Sequence, residues 1–246
     1  MRTIRRAFSV FDCFSAATPR LSLQELSNRL RLAKSTTFRV VNALEELGYL
    51  VRLADQRYCL SLQFARLGGL AQASLEVSQI ARPAMEKLAG ISGESVTLFA
   101  VEGENFICLD ALTTPAPPMS LYRPGERAPL SLGAASMVLM AYLPEVALQA
   151  ILPAVARRMR HTRKELLSIL GNVRKQQYAV SHGGSSPDLS GLSVPLFSAD
   201  ATVRYSLNIV MPTFRARGRI APLLKALREA GEKVSKGLGA GAVDHP

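Results

Sequence analysis

Apolar residues recur at helical spacing through the first fifty positions, and then the pattern breaks into short alternating runs. Ile4, Ala7, Phe8, Phe11 and Phe14 predict a helix from Ile4 to about Ala16 with those side chains inward. Leu23, Leu26 and Leu30 mark one face of a short second helix, with Ser22 as its cap and Gln24-Glu25 in its first turn. A tight break is expected at Arg31-Leu32; a left-handed residue often sits there, and a non-glycine one costs about 1 kcal/mol. Thr37, Val40, Val41, Leu44 and Leu47 form the buried stripe of a third helix from about Ala33 to Leu47, and Gly48 stands where a helix C′ residue belongs. Tyr49–Arg52 and Tyr58–Leu60 then read as strands around a polar tip at Ala54–Arg57. Helix, turn, helix and hairpin is the order of a winged helix-turn-helix, whose second helix lies in the DNA major groove.

Beyond the hairpin, Leu75, Ile80, Met85 and Leu88 predict a connecting helix from about Leu70 to Ala89, with Pro83 kinking it or opening a new one. From Glu94 the period changes to two. Ser95–Val101 and Asn105–Asp110 form a hairpin across Glu102-Gly103, and Pro115, Pro117 and Pro118 mark a loop. Helices are expected at Gly133–Leu143, Glu145–Ala154, Thr162–Gln177 (Leu166, Leu167, Leu170 and Val173 inward) and Ile220–Leu238, with strands at Gly191–Phe197 and Val203–Val210. The fold class is α+β, with strands sharing a sheet and helices around it.

Charge strengthens the nucleic-acid reading. The first 72 residues carry 11 Lys and Arg against 5 Asp and Glu, the remainder 19 against 14, within a chain of net charge +11. The basic excess is therefore densest where the helix pair lies, as a polyanionic partner requires. Lys34, Ser35, Thr36 and Arg39 face away from the buried stripe at the start of the third helix, where base edges and phosphates are reached. Arg39 suits a bidentate contact to guanine, and Ser35 and Thr36 suit phosphate or base. Gln24 on the preceding helix, and Arg52 and Arg57 on the wing, complete the expected DNA-contacting set.

Other chemistries are thinly represented. The three cysteines (Cys13, Cys59, Cys108) and three histidines (His161, His182, His245) are scattered without metal-ligand spacing, so neither metal nor cofactor is expected. His182, Ser185 and Asp188 lie within seven residues on one loop and lack a nucleophile elbow, while His182–Ser186 lacks the lysine and spacing of a phosphate loop. The rival reading is a hydrolase or isomerase in the C-terminal half beside a vestigial winged helix. It needs convergent Asp, Glu, His or Cys, for which the sequence offers no cluster. A wing used only for protein pairing is a third reading, opposed by the basic front segment. No apolar run approaches a membrane span and the start lacks a signal-peptide core, so a cytoplasmic protein is expected.

The segments RTIRRAFSVFDCF, LSLQELSNRLRLAKSTTFRVVNALEELGYLVR, GERAPLSLGAASMVLMAYLP and YAVSHGGSSPDLSGLSVPLF resemble the IclR family of bacterial transcriptional regulators, above all at the K-S-T-x-x-R core and the L-E-E-L-G-Y end. The resemblance implies a winged helix-turn-helix over residues 1–66, a linker helix over 67–90, and a GAF-like α/β domain over 91–246 that binds a small organic effector and assembles dimers or tetramers. It implies operator DNA as partner, control of catabolic operons, and no enzymatic activity. It also places the effector pocket at Gly133 and Ala134, whose helix N-terminus can hold a carboxylate, with Ser181, Leu189, Gly191, Asn208 and Val210 as its other walls. The chain departs from many members at Ser136-Met137 and Gly183-Gly184, so the resemblance does not name the ligand.

Overall fold

The helix at Ser22 is built from local hydrogen bonds. In the computed structural model, which describes residues 2–15, 17–73, 76–113, 122–130, 133–183 and 186–241, Ser22 and Glu25 form a reciprocal capping box. The Ser22 N–H donates to Glu25 Oε2 at 2.7 Å, and the Glu25 N–H donates back to Ser22 Oγ at 3.3 Å. The chain divides into two compact units, Met1–Ser74 and Leu75–Pro246.

The first unit contains α1 (Arg2–Phe11), α2 (Leu23–Leu30), α3 (Lys34–Glu46), β1 (Leu50–Arg52), β2 (Tyr58–Leu60) and α4 (Gln63–Ala73). Arg31 ends α2 at φ 53°, ψ 42°, so the left-handed position is filled by a non-glycine residue. After α3, Gly48 at φ 76° closes a Schellman motif: its N–H donates to Glu45 O (2.9 Å), and the Tyr49 N–H donates to Leu44 O (2.9 Å). β1 and β2 pair antiparallel with Val51 opposite Cys59, and Leu21 bridges to Tyr58 at the rim. Val10, Leu21, Leu26, Val41, Leu44, Leu50 and Tyr58 are the core.

Three expectations fail here. Ile4 and Phe8 are 65 % exposed, because the inward side of α1 is Val10 with Ala7, Phe11 and Phe14. That helix stops at Phe11 and passes into turns, short of Ala16, which lies outside the described residues. Leu47 is 68 % exposed, because it is the C-cap residue, beyond the stripe of Thr37, Val41 and Leu44.

The second unit runs through α5 (Glu76–Ser92), β3 (Ser95–Glu102), β4 (Asn105–Leu112), β5 (Arg127–Pro129), α6 (Gly133–Ala141), α7 (Glu145–Met159), α8 (Arg163–Gln176), β6 (Ala179–His182), β7 (Leu189–Phe197), β8 (Val203–Pro212), α9 (Thr213–Ala216) and α10 (Ile220–Gly237). Its sheet has six strands in the order β5-β4-β3-β8-β7-β6, with every neighbouring pair antiparallel. Strand alternation sends Val96, Leu98, Leu192, Val194, Leu207 and Ile209 to the face covered by α5 and α10. Phe99, Phe106 and Cys108 go to the face covered by α6, where Val138, Leu139 and Met140 meet them.

Pro83 lies inside α5 and opens no new helix, and α7 runs through Pro153 to Met159, five residues beyond the expected end at Ala154. Leu167 is turned outward from α8, whereas Leu166, Leu170 and Val173 are buried. The short strands β5 and β6 and the single-turn α9 carry too few alternating positions to be read from sequence. The proline loop at Pro115–Pro118 and Ser185 lie outside the described residues.

Two buried carboxylates clamp this unit. Glu94, 2 % exposed, accepts from Arg215 at 2.8 Å and from Arg219 at 2.6 Å, tying the start of β3 to α9 and the approach to α10. Asp110 accepts both bonds of the Arg82 Nη1 group, at 3.0 and 3.1 Å, tying β4 to α5. Both acids are spent on structural pairing, which answers the desolvation cost of burying them.

Candidate DNA-reading helix and effector cavity

The outer face of α3 opens with Lys34, Ser35 and Arg39 exposed and Thr36 half-buried, while Thr37 turns inward and donates to Ala33 O at 3.2 Å. Ala33 supplies no side-chain cap, so the first-turn amides of α3 are left to other acceptors. Arg52 and Arg57 are exposed on the wing. The Arg52 guanidinium stands 5.9 Å from the Tyr58 ring centre, and the Arg57 N–H donates to Asp55 Oδ1 at 3.1 Å. Gln24 is exposed too; its Nε2 donates to Asn28 Oδ1 at 3.0 Å, which leaves its second amide proton and its Oε1 for another partner. Arg29, by contrast, is a brace: its Nη1 donates to Cys13 O at 2.5 Å and Thr18 Oγ1 at 3.2 Å.

In the second unit, Gly133, Ala134, Ser181, Leu189, Gly191, Asn208 and Val210 are brought together around one cavity of about 30 Å³. Sequence reasoning missed its aromatic wall. Tyr122 stands edge-on to Phe99 and Phe106, which are tilted against each other, with ring centres 4.7–5.3 Å apart, and nothing in their spacing links them to position 134.

Gly133, at φ 79°, turns the chain into α6, whose first amides have no intrahelical partner. One of them is already engaged: the Ala134 N–H donates to Ser181 Oγ at 3.0 Å, from β6 across the gap. Gly191, paired with Ser181 in the sheet, keeps this approach possible. A Cβ there would lie 3.1 Å from Ser181 Oγ and 3.6 Å from Ala134 Cβ. The expected anion hole is therefore a closed amide–hydroxyl pair whose hydroxyl proton can still be donated. Among the described residues no charged side chain lines the cavity.

His182 Nδ1 lies 2.9 Å from Ser190 Oγ, which donates in turn to Thr213 Oγ1 at 3.2 Å. This pairing, unread in the sequence, occupies His182 with Ser190. Burial pushes the Cys108 thiol up to about 12, with the Asp110 and Glu126 charges adding to the shift, so it is no nucleophile near neutral pH. Among the described residues no group of His, Cys, Asp or Glu could hold a metal ion, and no helix is long and apolar enough to cross a membrane. A larger cavity, of about 180 Å³, lies along α10 by Val194, Phe197, Gly231 and Ser235. Gln177, Arg228, Glu232 and Lys236 also line it, and Ser235 Oγ there accepts from the Phe197 N–H and donates to Gly231 O.

A winged helix-turn-helix with Lys34 and Arg39 exposed on its second helix, followed by a sheet unit holding a cavity, defines a helix-turn-helix transcriptional regulator. Residues 3–54 match the IclR helix-turn-helix domain, and residues 70–236 match the bacterial transcriptional regulator IclR C-terminal domain. The chain belongs to the IclR family.

Similar regulators include KipR of Bacillus subtilis, 25 % identical over 97 % of each chain, and TtgV of Pseudomonas putida, 28 % identical over 97 % of this chain and 92 % of that one. These families and relatives are regulators of transcription, not enzymes. Among solved structures, an IclR regulator of Alicyclobacillus acidocaldarius matches with TM-score 0.85 at 24 % identity over 97 % of this chain and 99 % of that one. An IclR homolog of Microbacterium hydrocarbonoxydans complexed with 4-hydroxybenzoate matches with TM-score 0.81 at 24 % identity over 96 % of this chain and 98 % of that one. Both show a shared fold.

Proposed function

We propose that this regulator controls a catabolic operon from the cytoplasm and senses a small organic carboxylate, aliphatic or aromatic. In this reading residues 1–66 bind a palindromic operator as part of a dimer or tetramer, 67–90 link, and 91–246 receive the effector and assemble the protein. Lys34, Ser35, Thr36 and Arg39 enter the major groove, Gln24 assists, and Arg52 and Arg57 follow the flanking backbone.

The observation that carries the effector reading is the Ala134–Ser181 contact at the mouth of α6. A carboxylate that takes the helix amides and the Ser181 hydroxyl exchanges one neutral hydrogen bond for charge-assisted ones, which are roughly twice as strong. The 4-hydroxybenzoate bound by the Microbacterium relative is a carboxylate of this class. At about 30 Å³ the cavity has room for about two water molecules, whereas ligand-holding pockets run to roughly 300 Å³ and more. An organic acid therefore fits only once the walls separate, and binding must favour a wider state. Such a bias is how an effector shifts a population of DNA-binding states.

The experiment is an anisotropy titration of the protein on its own promoter DNA, with a panel of aliphatic and aromatic carboxylates. Specific binding that one acid weakens or strengthens is expected. Specific binding indifferent to every acid would overturn the carboxylate reading.

A further inference from the structure

The most informative atom in the second unit is Asn208 Oδ1. Asn208 is 2 % exposed and lines the cavity, and its amide orientation is settled by its neighbours. Its Nδ2 donates to Thr97 O at 3.0 Å and to Ser206 O at 3.0 Å. Two backbone carbonyls can only accept, so the nitrogen must face them and both of its protons are spent. That leaves Oδ1 as the part of the group still open. It is buried with no hydrogen-bond partner among the described residues.

The surroundings repeat the pattern. Thr97 and Ser193 are the cross-strand partners of Asn208 on β3 and β7, and both hydroxyls are likewise buried and unpartnered, as is that of Ser206. The hydroxyls can donate or accept, but an amide oxygen only accepts, so Asn208 Oδ1, which lines the cavity, calls for a group that donates. The two ends of the cavity differ in polarity. The α6 end offers donors, the helix amides and the Ser181 hydroxyl; the Asn208 end offers an acceptor.

Resting on the carboxylate reading above, we propose that the effector is a hydroxycarboxylate, its carboxylate at Ala134 and Ser181 and a hydroxyl donating to Asn208 Oδ1. An ammonium group could also donate, but among the described residues no acidic side chain lines the cavity to balance a buried cation. Leu189, Val210 and the Phe99–Phe106–Tyr122 wall enclose the carbon skeleton between the two polar ends. Asn208 is thus the specificity-determining residue, separating hydroxy acids from their deoxy and amino counterparts.

Calorimetric titration of the full chain with matched acids tests this: lactate against propionate and alanine, 3-hydroxybutyrate against butyrate, and 4-hydroxybenzoate against benzoate. Within the tightest-binding set, the hydroxy acid is expected to bind about tenfold more tightly than its deoxy partner. Asn208→Leu, checked for folding by circular dichroism, should bring that ratio to about one while the deoxy acid still binds. Equal affinities within the set, as expected if water fills the site instead, would overturn the proposal in the wild-type protein alone, whether or not the variant folds. So would alanine binding as tightly as lactate, or a preference that survives in folded Asn208→Leu. If none of the acids binds, the carboxylate reading falls first and this inference goes with it.

Discussion

Single residues carry several of the decisions in this chain, and backbone conformation explains which can change. Arg31 and Gly48 both sit in the left-handed region, at φ 53° and 76°, but only Gly48 does so without strain. No heavy atom lies within 4 Å of a Cβ built at Gly48, so its cost on substitution is conformational rather than steric. Gly48→Ala is expected to destabilise the first unit by about 1 kcal/mol. Arg31→Gly is expected to be neutral or to stabilise by less than about 1 kcal/mol, since greater unfolded-chain freedom offsets the relieved strain. Urea unfolding followed by circular dichroism measures both; a loss at Arg31→Gly as large as that at Gly48→Ala would contradict the argument. The strained position at Arg31 was legible from the turn it had to make. The choice of glycine at 191 was not, because the reason for it is a serine on a neighbouring strand.

Elements form here where local signals agree. Ser22 with Glu25 and Thr162 with Glu165 are capping boxes, and each sits at the start of a helix whose apolar stripe was readable. In both, the N-cap backbone N–H, followed by its hydroxyl, holds the glutamate carboxyl below its ordinary range. The sign follows directly. A depressed folded pKa contributes stability above the ordinary carboxylate range, and that contribution is lost as the pH falls through the depressed value. Glu25→Gln and Glu165→Gln should therefore lower the melting temperature slightly at neutral pH and leave it unchanged at pH 2, where the wild-type carboxyls are protonated too. An equal deficit at both pH values would mean that the charge plays no part. Where local signals were weak or opposed, elements escaped the sequence. β5 and β6 are too short for periodicity to register, and Pro83, which could have opened a new helix, lies inside α5.

At the scale of the molecule, electrostatics and topology divide the work. A chain of net charge +11 with Lys34 and Arg39 exposed on α3 should bind DNA with an affinity that falls steeply with salt, by about 10³–10⁵ between 50 and 200 mM if it meets 6–10 phosphates. Arg39→Ala should cost about 1–3 kcal/mol on operator DNA and much less on unrelated duplex, since the base contact is specific and the phosphate contacts are not. Competition anisotropy measures both, and equal losses on the two DNAs would make Arg39 a backbone contact. The winged helix was almost wholly legible because it is local: caps, a left-handed turn, an amphipathic stripe and a short hairpin all lie within forty residues. Gly133, Ala134, Ser181, Leu189, Gly191, Asn208 and Val210 could be named from a family resemblance, but neither their shared cavity nor its polarity could be derived from periodicity. The sequence determined which residues are apolar, capped, basic or free to turn, because those properties depend on neighbours a few positions away. Only the tertiary structure decided that Ser181 closes on Ala134, that three aromatic rings wall the cavity, and that Asn208 spends its donors and keeps its acceptor, because antiparallel pairing sets side by side residues that lie far apart along the chain.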